Sequence, residues 1–291
     1  MSVRFEAFYT AAFQTSLNDL DRIRRRIITN YFVIGFVMFA GFTFEAITWM
    51  LIGILVIVLF VMFYIRTFGI STQYYQQQFF LRIQGSIGRF LLPSSSFDLN
   101  RYIKLTELQA AGLIVHHPQQ YGGRNMIEHA VGDDQIRIAE MDIRSSGRGE
   151  DGKPFQRTDF SGIVGVHAMH TGIANPLMLV HHDLLKTEPD PSIRRKIDDH
   201  QDLVAWYVDK EAFARWFSPS QLYQVVSFME AANKQVFISV FEGGVCVAVA
   251  IPEKEKFRDA GLWTKANQEK EIRSLFETYR FVSEMLLSLN G

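Results

Sequence analysis

A chain of 291 residues can bury a sizeable core, so it needs neither disulfides nor structural metals to fold. Its single cysteine, Cys246, excludes an intrachain disulfide and therefore a secreted disulfide scaffold. The balance of 30 Lys and Arg against 31 Asp and Glu gives a formal net charge of −1, which argues against nucleic acid as a partner.

Residues 1–26 are predicted to form an amphipathic N-terminal helix. Apolar residues recur there mostly at spacings of three and four, at Phe5, Phe8, Tyr9, Ala12, Phe13, Leu17, Leu20 and Ile23. Such a helix could lie on a membrane surface, pack on the folded domain, or pair with a later helix. We favour packing, because apolar stripes more often face a core than a membrane.

The most apolar part of the chain is residues 27–65, where Glu45 is the only charged residue. Because one spanning helix needs about 20 apolar residues, this segment predicts a transmembrane helical hairpin with spans 27–43 and 46–65. Arginines flank the hairpin and none lies in its turn, which predicts that both termini are cytoplasmic. The sequence therefore predicts an integral membrane protein that contacts the lipid bilayer through residues 27–65.

The remainder predicts a juxtamembrane helix within residues 66–92 and a cytoplasmic α+β domain with antiparallel strands over residues 93–291. Strand patterns occupy residues 125–131, 135–143, 159–167, 177–181 and 203–208, and a hairpin joins 234–241 to 245–251 through Gly243 and Gly244. Helices are predicted over residues 106–111, after Ser218 and Pro219, and over residues 265–289.

One glycine-rich pattern invites a nucleotide-binding interpretation. Gly147, Gly149 and Gly152 match Gly-x-Gly-x-x-Gly. A dinucleotide site needs that pattern between a strand and a helix, so that the helix N-terminus meets the pyrophosphate. Because a strand-like run follows Pro154, we predict the loop of a hairpin and no cofactor site.

The search for metal ligands and nucleophiles is also negative. Eight histidines are present, at His116, His117, His129, His167, His170, His181, His182 and His200. The pair that most resembles a metal site is His167 and His170, but a strand end does not place residues three apart on one face, and no third ligand is evident. Cys246 lies between valines and is predicted to be a small core residue without a positioned base. We therefore predict no catalytic, cofactor-binding or metal-binding residues. The basic run 194–196 could meet acidic lipid head groups, but the acids at Asp198, Asp199 and Asp202 compensate its charge, so we favour a solvated face.

Several short segments resemble a known family. Residues 158–164 (TDFSGIV), 213–222 (FARWFSPSQL), 235–239 (QVFIS) and 246–250 (CVAVA) are similar to stretches of the bacterial domain-of-unknown-function 3137 family. This resemblance implies a bacterial inner-membrane protein without an assigned activity. It identifies no catalytic residue in this chain.

Three functions are compatible with these features. In the first, the domain is a membrane-tethered interaction or scaffold module, whose partner is another membrane-associated protein or a second copy. In the second, it is an enzyme or ligand sensor whose site arises only from convergence in three dimensions, and a pocket lined by His, Asp and Arg residues would favour it. In the third, it is a small oligomeric transport or channel component. The lack of any motif favours the first, and binding over catalysis.

Overall fold

The computed structural model describes residues 2–43, 53, 58–59, 72–115, 117–148, 154–184, 194–196, 202–252 and 269–289. The chain divides into two compact units. Unit 1 comprises Met1–Ile83 with Phe257–Glu269, and unit 2 comprises Gln84–Lys256 with Lys270–Gly291. The domain boundaries predicted after residues 26, 65 and 92 stay predictions.

Unit 1 is helical in its described part. Helix α1 spans Ser2–Phe8, α2 spans Ala11–Thr43, and α3 spans Thr72–Leu91, of which residues 72–83 belong to this unit. The apolar stripe predicted in residues 1–26 is largely buried, at Phe5, Phe8, Phe13, Leu17 and Leu20. One side of α3 is buried as well, at Tyr75, Phe79, Phe80 and Ile83. The Arg82 Nη1 atom lies 3.5 Å from Asp19 Oδ2, so α2 pairs with the first part of α3.

The transmembrane hairpin predicted from the sequence is contradicted. Within the segments that the structure describes, no helix is both long enough and apolar enough to cross a membrane. Residues 27–43 are the second half of α2, whose first half carries the ion pairs Arg22–Asp19 and Arg24–Asp21. At a rise of about 1.5 Å per residue this apolar half is about 25 Å long, which is shorter than a hydrocarbon core of about 30 Å. The second predicted span, residues 46–65, lies almost wholly outside the described residues.

The predicted fold class and localisation are corrected accordingly. The architecture is α+β with an antiparallel sheet, without the membrane hairpin that the prediction attached to it. The integral-membrane assignment and its bacterial inner-membrane location depended on that hairpin and are contradicted with it.

The described part of unit 2 is built on one antiparallel sheet of nine strands. In spatial order the strands run β1-β2-β3-β4-β9-β8-β5-β7-β6. Their ranges are Ser96–Asp98 (β1), Gln120–Val131 (β2), Asp134–Arg148 (β3), Pro154–Ala168 (β4), Leu177–His181 (β5), Arg194–Lys196 (β6), Leu203–Trp206 (β7), Val236–Phe241 (β8) and Gly244–Ala250 (β9). Strands β9 and β8 are fifth and sixth in this order, in the middle of the sheet. Both are buried along nearly their whole length.

Four further helices begin in the described part of the chain after the first strand. They are α4 (Leu105–Ala110), α5 (Lys210–Trp216), α6 (Pro219–Ala232) and α7 (Glu269–Ser288). The Asp209 carboxylate accepts two amide hydrogens at the start of α5, and Ser218 forms a capping box with Gln221 at the start of α6. The helix start predicted at Ser218 and Pro219 is thereby confirmed.

Helices pack on both faces of the sheet, and the alternation along β4 assigns the faces. Val164 and Val166 belong to the same core cluster as Leu108 of α4. Between them, Gly165 lies against Val282 and Leu286 of α7, which is only possible because glycine has no side chain there. Cys246 of β9 pairs with Val166 and joins the α4 side of the sheet.

Several strand predictions are confirmed and two strands were missed. The hairpin around Gly243 and Gly244 forms from β8 and β9, and β5 has the predicted ends. Strands β3 and β4 pair as the predicted long hairpin, extending to Arg148 opposite Pro154. The run 194–196 forms strand β6 paired with β7, and neither β6 nor β1 was predicted as a strand. Such three-residue strands carry no apolar alternation to detect.

Candidate functional site

A pocket of about 420 Å³ lies within unit 2, where one end of several sheet strands meets the end of α6. The strands β5 and β9 end here, whereas β7 and β8 begin here. Its lining includes both polar and apolar side chains: His181, Asp183, Asp202, Leu203, Val226, Met229, Glu230, Asn233, Lys234, Gln235, Ala250 and Pro252. This size is typical of small-ligand sites, which commonly occupy about 300–1,000 Å³.

A sharp turn after α6 positions one wall of the pocket. Asn233 adopts a left-handed conformation at φ 50°, and its amide donates to the Met229 carbonyl to end the helix. The next two residues then lead into β8 and present their side chains near the pocket. The Gln235 side-chain amide donates to Asp183 Oδ2 at 2.8 Å. The Lys234 ammonium instead donates to Thr278 and Ser274 of α7, at 2.6 and 3.1 Å.

Three consecutive polar residues, which we call the HHD turn, lie at another part of the pocket: His181, His182 and Asp183, of which the first and third line it. His181 is the last residue of β5, and a 3-10 turn begins at His182. The turn stacks the two imidazole rings with centroids 4.8 Å apart. One nitrogen from each ring and one carboxylate oxygen of Asp183 lie within 4.8 Å of one another. The turn therefore brings together side chains that a continued strand would direct to opposite faces.

Hydrogen bonds and ion pairs fix the orientation of these groups. The Asp183 amide donates to His181 Nδ1 at 3.2 Å, so that nitrogen acts as an acceptor. His182 Nε2 lies 2.8 Å from Asp183 Oδ1, and His182 Nδ1 lies 3.8 Å from Asp202 Oδ1. The His182 ring is thus flanked by two carboxylates. The main chain supports this arrangement, because the His182 amide donates to the Asp202 carbonyl at 2.8 Å.

The pocket has a mixed electrostatic character. Burial lowers the pKa of His181 below its usual value, although the nearby carboxylates of Asp183 and Asp202 act in the opposite direction. Among the described residues, the pocket lining has the three carboxylates of Asp183, Asp202 and Glu230 and one ammonium, that of Lys234. With His181 neutral, a positively charged occupant is electrostatically favoured over a negatively charged one.

The structure separates the residues that the sequence singled out. His167 is buried in β4 with Nδ1 3.2 Å from the Leu286 carbonyl, whereas His170 is exposed beyond the strand. Neither belongs to the potential metal-binding group found among the described residues. Cys246 is fully buried, and burial raises the pKa of its thiol far above the usual value. Residues 149–153 of the glycine-rich loop lie outside the described residues, and antiparallel strands flank them.

Sequence reasoning missed the HHD turn. His181 and His182 were visible as neighbours at the end of a predicted strand, and Asp183 directly follows them. The available signal was this adjacency, combined with the strand ending at His181. Asp202, which lies 3.8 Å from the His182 ring, is remote in sequence, and its approach depends on the pairing of β5 with β7.

Comparisons with known proteins add little. No protein-family model and no curated protein match this chain. Among solved structures, the mycobacterial trehalose monomycolate transport factor A matches 73% of this chain and 97% of its own chain, at 10% identity and a TM-score of 0.40. Similarity at this level carries no argument about fold or function. The resemblance to the domain-of-unknown-function 3137 family stays a prediction.

Proposed function

We propose that unit 2 is a binding module that takes a small, positively charged ligand into the pocket beside the HHD turn. The observation that carries the proposal is the cavity of about 420 Å³ with three carboxylates in its lining. This corresponds to the ligand-sensor form of the second hypothesis from the sequence, for which a pocket lined by His, Asp and Arg residues was the discriminating feature. Of these three types, the described lining contains His and Asp.

The lining suggests what the ligand looks like. Asp183, Asp202 and Glu230 offer acceptors for an ammonium or guanidinium group, each of which donates several hydrogen bonds. Leu203, Val226 and Met229 offer apolar surface for a short hydrocarbon portion. A small organic amine combines both properties, whereas an anionic ligand would meet the carboxylates unfavourably.

Calorimetric titration of the full chain with a series of organic amines, in the presence of a chelator, tests this proposal. We expect saturable binding, weakened roughly fivefold by Asp202→Asn, because loss of one partly exposed opposing charge costs on the order of 1 kcal/mol. Glu242→Gln is the matched control, since it removes an exposed carboxylate in the turn between β8 and β9. Absence of amine binding, or equal affinity in the wild type and Asp202→Asn, would refute the proposal.

A second candidate function, self-association through α2, is favoured by a separate observation in unit 1. The second half of α2 exposes a row of large apolar side chains, with Phe32, Phe36 and Phe39 each at least 67% exposed. Contiguous exposed apolar surface commonly marks an interaction site. The occupant we propose is the same face of a second copy, because residues 27–43 carry no charge that would repel a matching surface.

The oligomeric state in solution tests this second candidate. Light scattering of the full chain should give the mass of a dimer, and Phe32→Ser with Phe36→Ser should shift it toward the monomer. Tyr223→Ser, which changes another highly exposed aromatic residue on α6, is the control and should leave the dimer intact. A wild-type monomer, or a dimer unaffected by the double substitution, would contradict self-association through this face.

A further inference from the structure

We propose that the HHD turn binds a divalent transition-metal ion such as Zn²⁺, with His181, His182 and Asp183 as ligands. The inference rests on the proposed role of the pocket as a cation-binding site and names an inorganic cation as an occupant. The experiment below uses metal ions alone, so its result does not depend on whether an organic amine binds.

The ligand atoms are spaced nearly as a tetrahedral metal requires. Zn²⁺ binds nitrogen and oxygen at about 2.0–2.2 Å, so two ligand atoms of one tetrahedral site lie about 3.3 Å apart. Asp183 Oδ1 lies 2.8 Å from His182 Nε2, whereas Asp183 Oδ2 lies 3.8 Å from His181 Nδ1. One ligand atom from each of the three residues lies within 4.8 Å of the other two, so modest rotations are needed to reach the required spacing. Because the side chains of His182 and Asp183 are about half exposed, small rotations can close the remaining difference.

Each of the two rings has a nitrogen placed for a metal. His181 Nδ1 accepts a hydrogen bond from the Asp183 amide, so a metal that binds this nitrogen displaces the 3.2 Å contact. His182 lies between the carboxylates of Asp183 and Asp202, and its Nε2 atom is the nitrogen on the Asp183 side.

Neighbouring groups are placed to orient the ligands. The Asp202 carboxylate faces Nδ1 of His182, the nitrogen opposite to the proposed metal-binding Nε2. A carboxylate in that position favours the tautomer whose other nitrogen is free for the metal. The Gln235 amide holds Asp183 Oδ2 at 2.8 Å and leaves Oδ1 directed toward His182. Asp202 and Gln235 are therefore positioning residues.

The ligand types define the class of metal. Two imidazoles and one carboxylate suit Zn²⁺ and its transition-metal neighbours, whereas Mg²⁺ and Ca²⁺ prefer oxygen ligands alone. Three protein ligands leave a fourth coordination position. Since His181 and Asp183 both line the pocket, a molecule bound in the pocket could occupy that position.

Equilibrium dialysis of the full chain, stripped with chelator and then exposed to Zn²⁺ alone or Mg²⁺ alone, tests the inference. We expect one equivalent of Zn²⁺ and none of Mg²⁺. His182→Ala and Asp183→Asn should each abolish stoichiometric binding, and Asp202→Asn should weaken it roughly 10-fold or more. The matched control is His170→Ala, which removes an exposed imidazole outside the pocket and should retain one equivalent. Circular dichroism verifies that each variant is folded.

Each outcome of the dialysis decides the inference. Zn²⁺ that stays bound in both His182→Ala and Asp183→Asn, or is lost in His170→Ala, overturns it. So does a wild-type protein that takes up no Zn²⁺ or takes up Mg²⁺ equally well.

The dialysis and the amine titration together separate the two proposals. If amines bind and Zn²⁺ does not, the metal site is wrong while the binding module stands. If Zn²⁺ binds at the HHD turn and amines do not, the organic ligand is wrong while the metal site stands.

Discussion

Two strands of the same sheet carry a histidine at the last or next-to-last residue, and the two ends differ in structure. At the end of β4, His167 is 2% exposed and faces the carbonyl of Leu286 on α7, and the chain continues to an exposed His170. At the end of β5, the chain turns at once, and His181, His182 and Asp183 converge at the rim of a pocket. We call these regions the closed strand end and the pocket rim.

The difference shows that local backbone direction, and not spacing, creates a cluster of ligands. Residues three apart, as in His167 and His170, lie on one face of a helix but not of a strand. Adjacent residues normally point to opposite faces of a strand, and the 3-10 turn at His182 cancels that alternation. The closed strand end is thus built for packing, and the pocket rim for binding. Substitutions in the packed sheet and at the pocket rim test this division.

The largest expected effect is that of Gly162→Ala in β4. A Cβ atom there would clash with the Val249 carbonyl oxygen of β9, which is backbone and cannot move aside without separating the strands. We expect a loss of about 3 kcal/mol or more in the free energy of unfolding, at the upper end of overpacking effects. Urea denaturation of the full chain measures it.

A glycine on another strand provides the control for that change. A Cβ atom at Gly122 in β2 would meet nothing within 4 Å, so Gly122→Ala should leave the free energy of unfolding within about 0.5 kcal/mol. Equal effects of the two alanine substitutions would show that close approach in the β4–β9 pair does not limit stability.

The two histidines beside the closed strand end should also differ. His167→Ala removes a buried ring and its contact with the Leu286 carbonyl, which should cost about 2–3 kcal/mol. His170→Ala removes an exposed ring and should change stability by less than about 0.5 kcal/mol. Thermal and urea denaturation of the two variants measure these free-energy changes. The metal content of both variants should equal that of the wild type. A small cost for His167→Ala would mean that its burial contributes little.

Much of the sheet was predictable because its signals are local. The β8–β9 hairpin follows from apolar runs on either side of Gly243 and Gly244, and the start of α6 follows from Ser218 and Pro219. Strand β6 was not predictable, because Arg194–Lys196 shows no apolar face and is ordered only by pairing with β7. The transmembrane hairpin was wrong because composition alone does not reveal that the apolar run continues a charged helix.

The pocket was less predictable than the sheet. Its lining comes from segments scattered between His181 and Pro252, which meet only after β5 pairs with both β7 and β8. No fixed sequence spacing connects Asp202 or Gln235 with Asp183. The histidine pair chosen by spacing was instead His167 and His170, because spacing rules assume a regular element and the HHD turn is the end of one.

A smaller effect is expected at Cys246, which is buried in β9 opposite Val166, close to the closed strand end. Cys246→Ser places a hydroxyl in an apolar cluster, but Ser239 lies directly opposite on β8, with a buried hydroxyl that has no partner among the described residues. A hydrogen bond between the two hydroxyls would offset part of the cost of burying the new one, so we expect a net cost of about 1 kcal/mol. In a Ser239→Ala background the same change should cost about 2 kcal/mol or more. Urea denaturation of the four proteins measures this coupling, and equal costs in both backgrounds would contradict the proposed bond.

The smallest effect on stability is expected at the pocket rim without metal. The side chains of His182 and Asp202 are 52% and 66% exposed, and exposed ion pairs contribute little. In chelator, His182→Ala and Asp202→Asn should each shift the free energy of unfolding by no more than about 0.5 kcal/mol. With Zn²⁺ at about 100 times its dissociation constant, the wild type should gain about 2.7 kcal/mol by mass action, and His182→Ala should gain none. Thermal denaturation with chelator and with Zn²⁺ measures both quantities. A loss above about 1 kcal/mol in chelator would show that the rim serves packing, as the closed strand end does, and would remove the contrast between the two regions.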